Sequence, residues 1–408
     1  MTAGAASLNA DVRVISLVGV AHGLSHFYHL AIPPLFPLLK DEFGVSYAAL
    51  GSVMGVYFAV SGVLQTVAGF VVDRLGARQV LVGGLVLSAL GIALAGLAPS
   101  FGWLYVTAVI AGLGNSVFHP ADMALLNAKV APARLGYAFS AHSIAGYLGW
   151  AVAPVFAAAV SGVWGWRGAL IMAGAVGAVY VALMTPQRIL AGGTRALRQH
   201  SGAPRGIGQD LQLLRSTPVM LCFGFFLALS MALSGWQTFS TTALTQLYPI
   251  ELVFASSALT AFLLGSAAGV AFGGVLAART ERHRTVAVGG MLAAAAVTLA
   301  LATGAVPVSL MIATIAAAGF AVGSVAPSRD ILVREVAPVG ARGKVYGFVY
   351  SGLDLGGLIA PLMVGWLLDR GMPDMVFIAA AALMVLSVPT VLGLRRSTAA
   401  QRAAAPGA

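Results

Sequence analysis

The chain has 408 residues, 59% hydrophobic and only 9% charged, against roughly a quarter charged in soluble proteins, so a water-soluble globule is excluded. Its net charge of +10 would suit a nucleic-acid partner, but the basic residues lie in short clusters between apolar runs, and no nucleic-acid partner is assigned. The single cysteine, Cys222, sits in an apolar run and offers neither a disulfide framework nor a Cys-based metal site.

Residues 1–10 are small and polar with no apolar run ending in a cleavage site, so no cleaved signal peptide is expected. The apolar runs that follow predict membrane helices over 14–38, 46–72, 79–98, 103–128, 135–160, 167–186, 217–245, 252–278, 285–303, 306–333, 343–368 and 375–394. Twelve crossings of about 20 residues use roughly 240 residues and leave ample chain for loops. With the N-terminus inside, all of the 23 basic residues fall on the cytoplasmic side except Lys40, Arg167 and Arg370, which fall outside, and Arg329, which lies within a span. That asymmetry is the positive-inside bias, and it predicts both termini in the cytoplasm of a bacterial-type inner membrane.

Residues 187–215 form the one long polar interval, with Pro204, several glycines and five arginines. They predict a cytoplasmic linker between an N-terminal six-helix bundle (1–186) and a C-terminal one (216–408). A shift of 207 residues pairs Gly112 with Gly319, Pro120 with Pro327, Gly136 with Gly343, Gly149 with Gly356, and Ala153–Pro154 with Ala360–Pro361. These kink and close-packing residues would set where the fourth and fifth helices of each half bend, so both halves are expected to follow one helical plan.

The loop after the second span, Gly69-Phe-Val-Val-Asp73-Arg74-Leu-Gly76-Ala-Arg78, closely resembles the GxxxDRxGRR loop of major facilitator superfamily transporters. The resemblance implies the major facilitator fold: an all-α integral membrane protein of twelve transmembrane helices in two pseudo-symmetric six-helix bundles. Asp73, Arg74 and Arg78 become candidate gating residues, since a carboxylate there can pair with arginine or face a helix N-terminus across the halves; the alternative is that Arg74 and Arg78 only anchor topology. The second-half counterpart carries Ala278 where the aspartate would be. The segments His22-Gly-Leu-Ser-His26, Pro33-Pro34-Leu-Phe-Pro37, Phe43-Gly-Val-Ser46-Tyr47 and Gly112-Leu-Gly114-Asn-Ser-Val-Phe118-His119-Pro120 resemble the fosmidomycin-resistance branch of that superfamily, which implies drug/proton antiport. Ala108 stands where many such antiporters carry an arginine, and Ala153 replaces a glycine of their fifth-span motif.

Ionisable residues within lipid are candidate functional sites, because a charge at mid-bilayer costs roughly 2.5–3.5 kcal/mol on insertion scales. In span one, His22, His26 and His29 share one helical face. They suit proton handling or substrate hydrogen bonding, with metal ligation and neutral packing as alternatives. In span four, His119 and Asp122 are i,i+3 neighbours and are expected to couple with each other, or to satisfy each other as packing. His22, His26, His119 and Asp122 form the proton-coupling set. His142 in span five faces either the cavity or a partner helix.

In the second half, Arg329 and Asp330 are adjacent and point about 100° apart, so they are expected not to pair with one another. An Arg329–Asp354 interhelix pair is expected instead, or an Arg329 turned toward an anionic substrate. Trp236, Gln237 and the hydroxyls from Thr238 to Thr242 form a polar-aromatic patch at the outer end of span seven. The substrate-binding set is then His26, Tyr28, His29, Phe118, His142, Trp236, Gln237, Arg329, Asp330 and Asp354, with the aromatic members as walls or packing. No metal and no cofactor are assigned, and no GxxxxGK[ST] loop supports ATP-driven pumping. The expectation is a monomeric, non-enzymatic secondary transporter in the lipid bilayer, exporting a small polar or anionic compound or drug against protons. The rivals are a proton-coupled uptake carrier for an organic acid and a non-transporting membrane sensor.

Overall fold

A computed structural model describes residues 3–190, 212–336 and 342–403, and the central part of the expected linker lies outside the described residues. The first half contains α1 (Ala3–His29), α2 (Phe36–Phe43), α3 (Tyr47–Leu75), α4 (Ala77–Gly96), α5 (Phe101–Asn115), α6 (Phe118–Lys129) and α7 (Leu135–Met184). The second contains α8 (Thr217–Leu247), α9 (Leu252–Arg279), α10 (His283–Ala302), α11 (Val308–Val336), α12 (Arg342–Asp369) and α13 (Asp374–Ala403).

These helices match the twelve expected spans, with three differences of physical origin. The first span breaks after α1 and passes through a 3-10 turn, Pro33–Leu35, before α2, because two consecutive prolines supply no backbone donors. The fourth span divides into α5 and α6 just before Pro120, whose ring excludes the carbonyl four residues back and whose nitrogen cannot donate. The fifth and sixth spans run together as α7, 50 residues long. At 1.5 Å per residue a straight helix of that length would reach about 75 Å, more than twice the hydrocarbon thickness. It divides into two limbs at Gly165, whose φ of 68° and ψ of 175° are open essentially to glycine alone. Among the described residues, eleven helical segments are long and apolar enough to cross a membrane, and the one spanning Pro132–Met184 contains both limbs.

Contacts divide the chain into two compact units, residues 1–199 with 252–260, and residues 200–251 with 261–408. The short stretch 252–260 thus groups with the first unit. In the first unit α1 and α4 both pack on α7, and α4 also packs on α5; in the second, α8 packs on α12 and α13, and α10 on α11 and α13. The plans correspond. The starts of α5 and α11, and those of α7 and α12, lie 207 residues apart (308 − 101 and 342 − 135). A Cβ at Gly112 would meet the Tyr57 carbonyl on α3, and one at Gly319 would meet the Phe262 carbonyl on α9, so the paired glycines bring equivalent helices into backbone contact.

Candidate functional site

The first unit gathers its ionisable side chains at the place where α1, α6 and α7 meet. Small residues permit this: a Cβ at Gly149 would fall on the Gly23 carbonyl, so α1 and α7 touch backbone to backbone there. One turn away, a Cβ at Gly146 would lie 3.0 Å from both His22 Nε2 and His26 Nδ1, and its absence leaves room for the two imidazoles. Asp122, on α6, is fully buried. Its Oδ2 lies 3.0 Å from His142 Nε2 in a hydrogen bond and 3.1 Å from His22 Nδ1. The His22 contact has ion-pair distance without hydrogen-bond alignment, and Asp122 Oδ1 has no partner. The His22 and His142 rings stack, with centroids 3.5 Å apart and planes inclined by 23°.

Two further imidazoles extend the group. His26 lies between His22 and Trp150, its ring tilted against each at centroid distances of 4.4 and 4.2 Å. His119 is exposed, and its ring stands edge-on to His22 at 5.2 Å. The expected His119–Asp122 pairing is therefore corrected. The carboxylate turns from its own helix toward α1 and α7, where two imidazoles are already held, while His119, in the first turn of α6, makes ring contact with His22. His29 belongs to a separate network. Trp150 Nε1 donates to His29 Nδ1 at 3.3 Å, His29 Nε2 meets Asn115 Oδ1 at 2.9 Å, and Asn115 Nδ2 donates to Ser61 Oγ at 2.7 Å.

The nitrogens of His22 and His142 and the Asp122 carboxylate lie within 4.8 Å of one another, close enough for three ligands of one ion.

Other expected site residues are placed differently. Tyr28 and Phe118 are buried in packing, the Tyr28 hydroxyl donating to the Ala173 carbonyl. Trp236 is fully buried between Phe262, on which it stacks at 4.9 Å, and Phe377. Those three aromatic walls are corrected to core: large rings with neighbours on every side gain more from packing than from facing a cavity. Thr238, Ser240, Thr241 and Thr242 are likewise buried, and Gln237 is half-buried.

The expected Arg329–Asp354 pair is also corrected. Arg329 Nε lies 2.9 Å from Asp330 Oδ1, because a long guanidinium stem spans the angle between adjacent helical positions. Tyr350 donates to the same oxygen at 3.1 Å, and the guanidinium lies over the Phe226 ring. Asp354 is exposed and forms no hydrogen bond or ion pair among the described residues. Arg329 also borders a narrow apolar crevice lined by Cys222, Phe226, Leu332 and Val391.

Of the gating candidates, Arg74 is exposed and Arg78 donates to the Thr185 carbonyl within its own unit; the Asp73 side chain lies outside the described residues. Three features were missed from sequence. Trp150 lies inside a motif noted for its glycine, Asn115 is an amide in an apolar run, and buried Asp11 takes Nε and Nη2 of Arg134, each at 2.6 Å, and the Ala131 N–H at 3.2 Å. For Asn115, an isolated amide inside an apolar run was the available signal.

Two helical units of one plan, with buried ionisable groups in the first, define a multi-pass membrane carrier. The family model described as Major Facilitator Superfamily matches residues 16–256 and 239–407. The chain belongs to that superfamily of membrane transporters. It is 29% identical over 378 residues to the uncharacterized MFS-type transporter YfnC of Bacillus subtilis, covering 92% of this chain and 91% of that one. It is 26% identical over 398 residues to the fosmidomycin resistance protein of Escherichia coli, covering 95% of each. Among solved structures, a point mutant of the nucleoside transporter NupG has a TM-score of 0.77 at 15% identity, covering 93% of this chain and 99% of that one. A bacterial homolog of the human lysosomal transporter Spinster has a TM-score of 0.74 at 14% identity, covering 95% and 97%.

Proposed function

We propose that this protein is a proton-driven exporter of a small polar or anionic compound, working by alternating access as a monomer in the bacterial inner membrane with both termini in the cytoplasm. The carrying observation is Asp122, a fully buried carboxylate in a membrane helix with one oxygen between two imidazoles. An uncompensated charge there is costly, and a proton shared between Asp122 and a neighbouring imidazole would offset it. His22 and His142 bracket the carboxylate, and exposed His119 beside His22 offers a route to water. Proton binding and release at this group, alternating with cargo, couples the two fluxes. The direction is supported by the relative named for fosmidomycin resistance, and fosmidomycin is accordingly the first cargo to test.

His26 and half-buried Trp150 border this group and would contact cargo in the first unit. In the second unit, Arg329 beside its crevice is the candidate partner for an anionic group, with Asp330 orienting the guanidinium. Asp73 and Arg74 are retained as the cytoplasmic gate, and no catalysis is assigned.

In everted vesicles with an acid interior, adding fosmidomycin, organic acids or antibiotics in turn should release lumenal protons, read by recovery of acridine-orange fluorescence. An active compound should accumulate inside, and nigericin should abolish its accumulation. Asp122→Asn should lose this response while folding normally. Accumulation independent of the gradient, or equal in Asp122→Asn, would remove the proton assignment; loading only into right-side-out vesicles would identify an uptake carrier.

A further inference from the structure

We propose that His29 is a positioning residue, held as the neutral tautomer with its hydrogen on Nε2, and that it fixes Trp150 beside the proton site without carrying a proton itself. The tautomer follows from the donor inventory. An indole N–H only donates, so His29 Nδ1, 3.3 Å from Trp150 Nε1, must be the acceptor. The ring hydrogen then sits on Nε2 and is donated to Asn115 Oδ1 at 2.9 Å. Asn115 places its carbonyl oxygen toward His29 because its amide nitrogen donates to Ser61 Oγ at 2.7 Å. The chain runs in one direction, Trp150 to His29 to Asn115 to Ser61, and ties together α7, α1, α5 and α3. A second hydrogen on His29 would set two N–H groups against each other at Nδ1. Among the described residues no carboxylate faces this ring to offset that conflict: its neighbours are His26 at 5.1 Å on α1, Tyr57 and Phe58 at 5.5 Å on α3, Asn115 on α5 and Trp150 on α7.

The histidine stripe of α1 thus divides by chemistry. His22 touches a carboxylate and can exchange its proton, whereas His29, seven residues on, is a strut. What it supports is the indole of Trp150, whose ring covers His26 at 4.2 Å. Trp150 is half-buried, so the strut fixes the orientation of an aromatic face at the edge of the histidine group. This inference uses the proton-site proposal only for contrast, and each can fail alone.

The test is 15N spectroscopy of the full chain labelled at histidine, titrated over roughly pH 5 to 8, where unperturbed imidazoles change charge. His29→Gln assigns the signals. The His29 pair should stay as one bare and one hydrogen-bearing nitrogen throughout. In Trp150→Phe, which removes the donor to Nδ1, the signal of the bare His29 nitrogen should move as its hydrogen bond is lost; this variant keeps the test available if His29→Gln does not fold. Emission from Trp150, isolated by difference against Trp150→Phe, should shift in His29→Ala and return toward wild type in His29→Gln. Conversion of the wild-type His29 pair to imidazolium within that range, or an unchanged His29 signal in Trp150→Phe, would overturn the proposal. If His29 behaves as stated while Asp122→Asn still transports normally, the strut stands and the proton-site assignment falls.

Discussion

Replacing Gly149 by alanine tests whether backbone contact between α1 and the first limb of α7 is what holds the proposed proton site together. The added methyl would overlap the Gly23 carbonyl, with the carbonyl carbon only 2.7 Å away. The obstacle is backbone, so the two helices must part by roughly 1–2 Å before ordinary separations return. Such overpacking costs about 1–3 kcal/mol, while alanine in place of glycine returns about 1 kcal/mol of helix propensity. Gly162→Ala separates the two effects. It lies in the same helix, where a Cβ meets nothing within 4 Å, so it gains propensity without the clash. The difference between the variants should therefore be about 1–3 kcal/mol against Gly149→Ala, measured by thermal unfolding in one detergent. The same separation should loosen the His22–Asp122 and His142–Asp122 contacts and impair proton-driven flux. Equal unfolding temperatures for the two variants would refute the close-contact reasoning.

Alanine at Gly165 should destabilise the protein by about 1–3 kcal/mol, because that backbone region is essentially closed to residues with a side chain; thermal unfolding checks it. Trp236→Ala should cost about 3–5 kcal/mol by emptying a buried ring site, yet leave the histidine signals of the first unit unchanged, and a shift in those signals would contradict its assignment to the second unit's core. Two arginine–carboxylate pairs of the first unit should differ. Arg167→Gln breaks a pair whose side chains are 44% and 40% exposed and should cost no more than about 1 kcal/mol. Asp11→Asn removes charge-assisted hydrogen bonds at a side chain only 7% exposed and should cost about 1.5–3 kcal/mol; equal unfolding shifts for the two would refute that ranking.

The amino-acid order by itself determined the solvent, the number of crossings and the repeated plan, since each is a property of local composition. A run of apolar residues cannot leave lipid cheaply, and Pro33–Pro34, Pro120 and Gly165 interrupt helices through their own backbone chemistry. It also supplied the short roster of ionisable groups, because any such residue in an apolar run stands out. Spacing along one helix did not reveal their partners. Asp122 was matched to His119, its neighbour in the chain, whereas the fold brings it to His22 and His142 from α1 and α7. Arg329 was sent across to Asp354, whereas its flexible stem reaches back to Asp330. Helical periodicity fixes the direction in which a side chain leaves its own axis, but only the packing of α1, α6 and α7 on one another decides which axes come close enough for imidazole and carboxylate to meet.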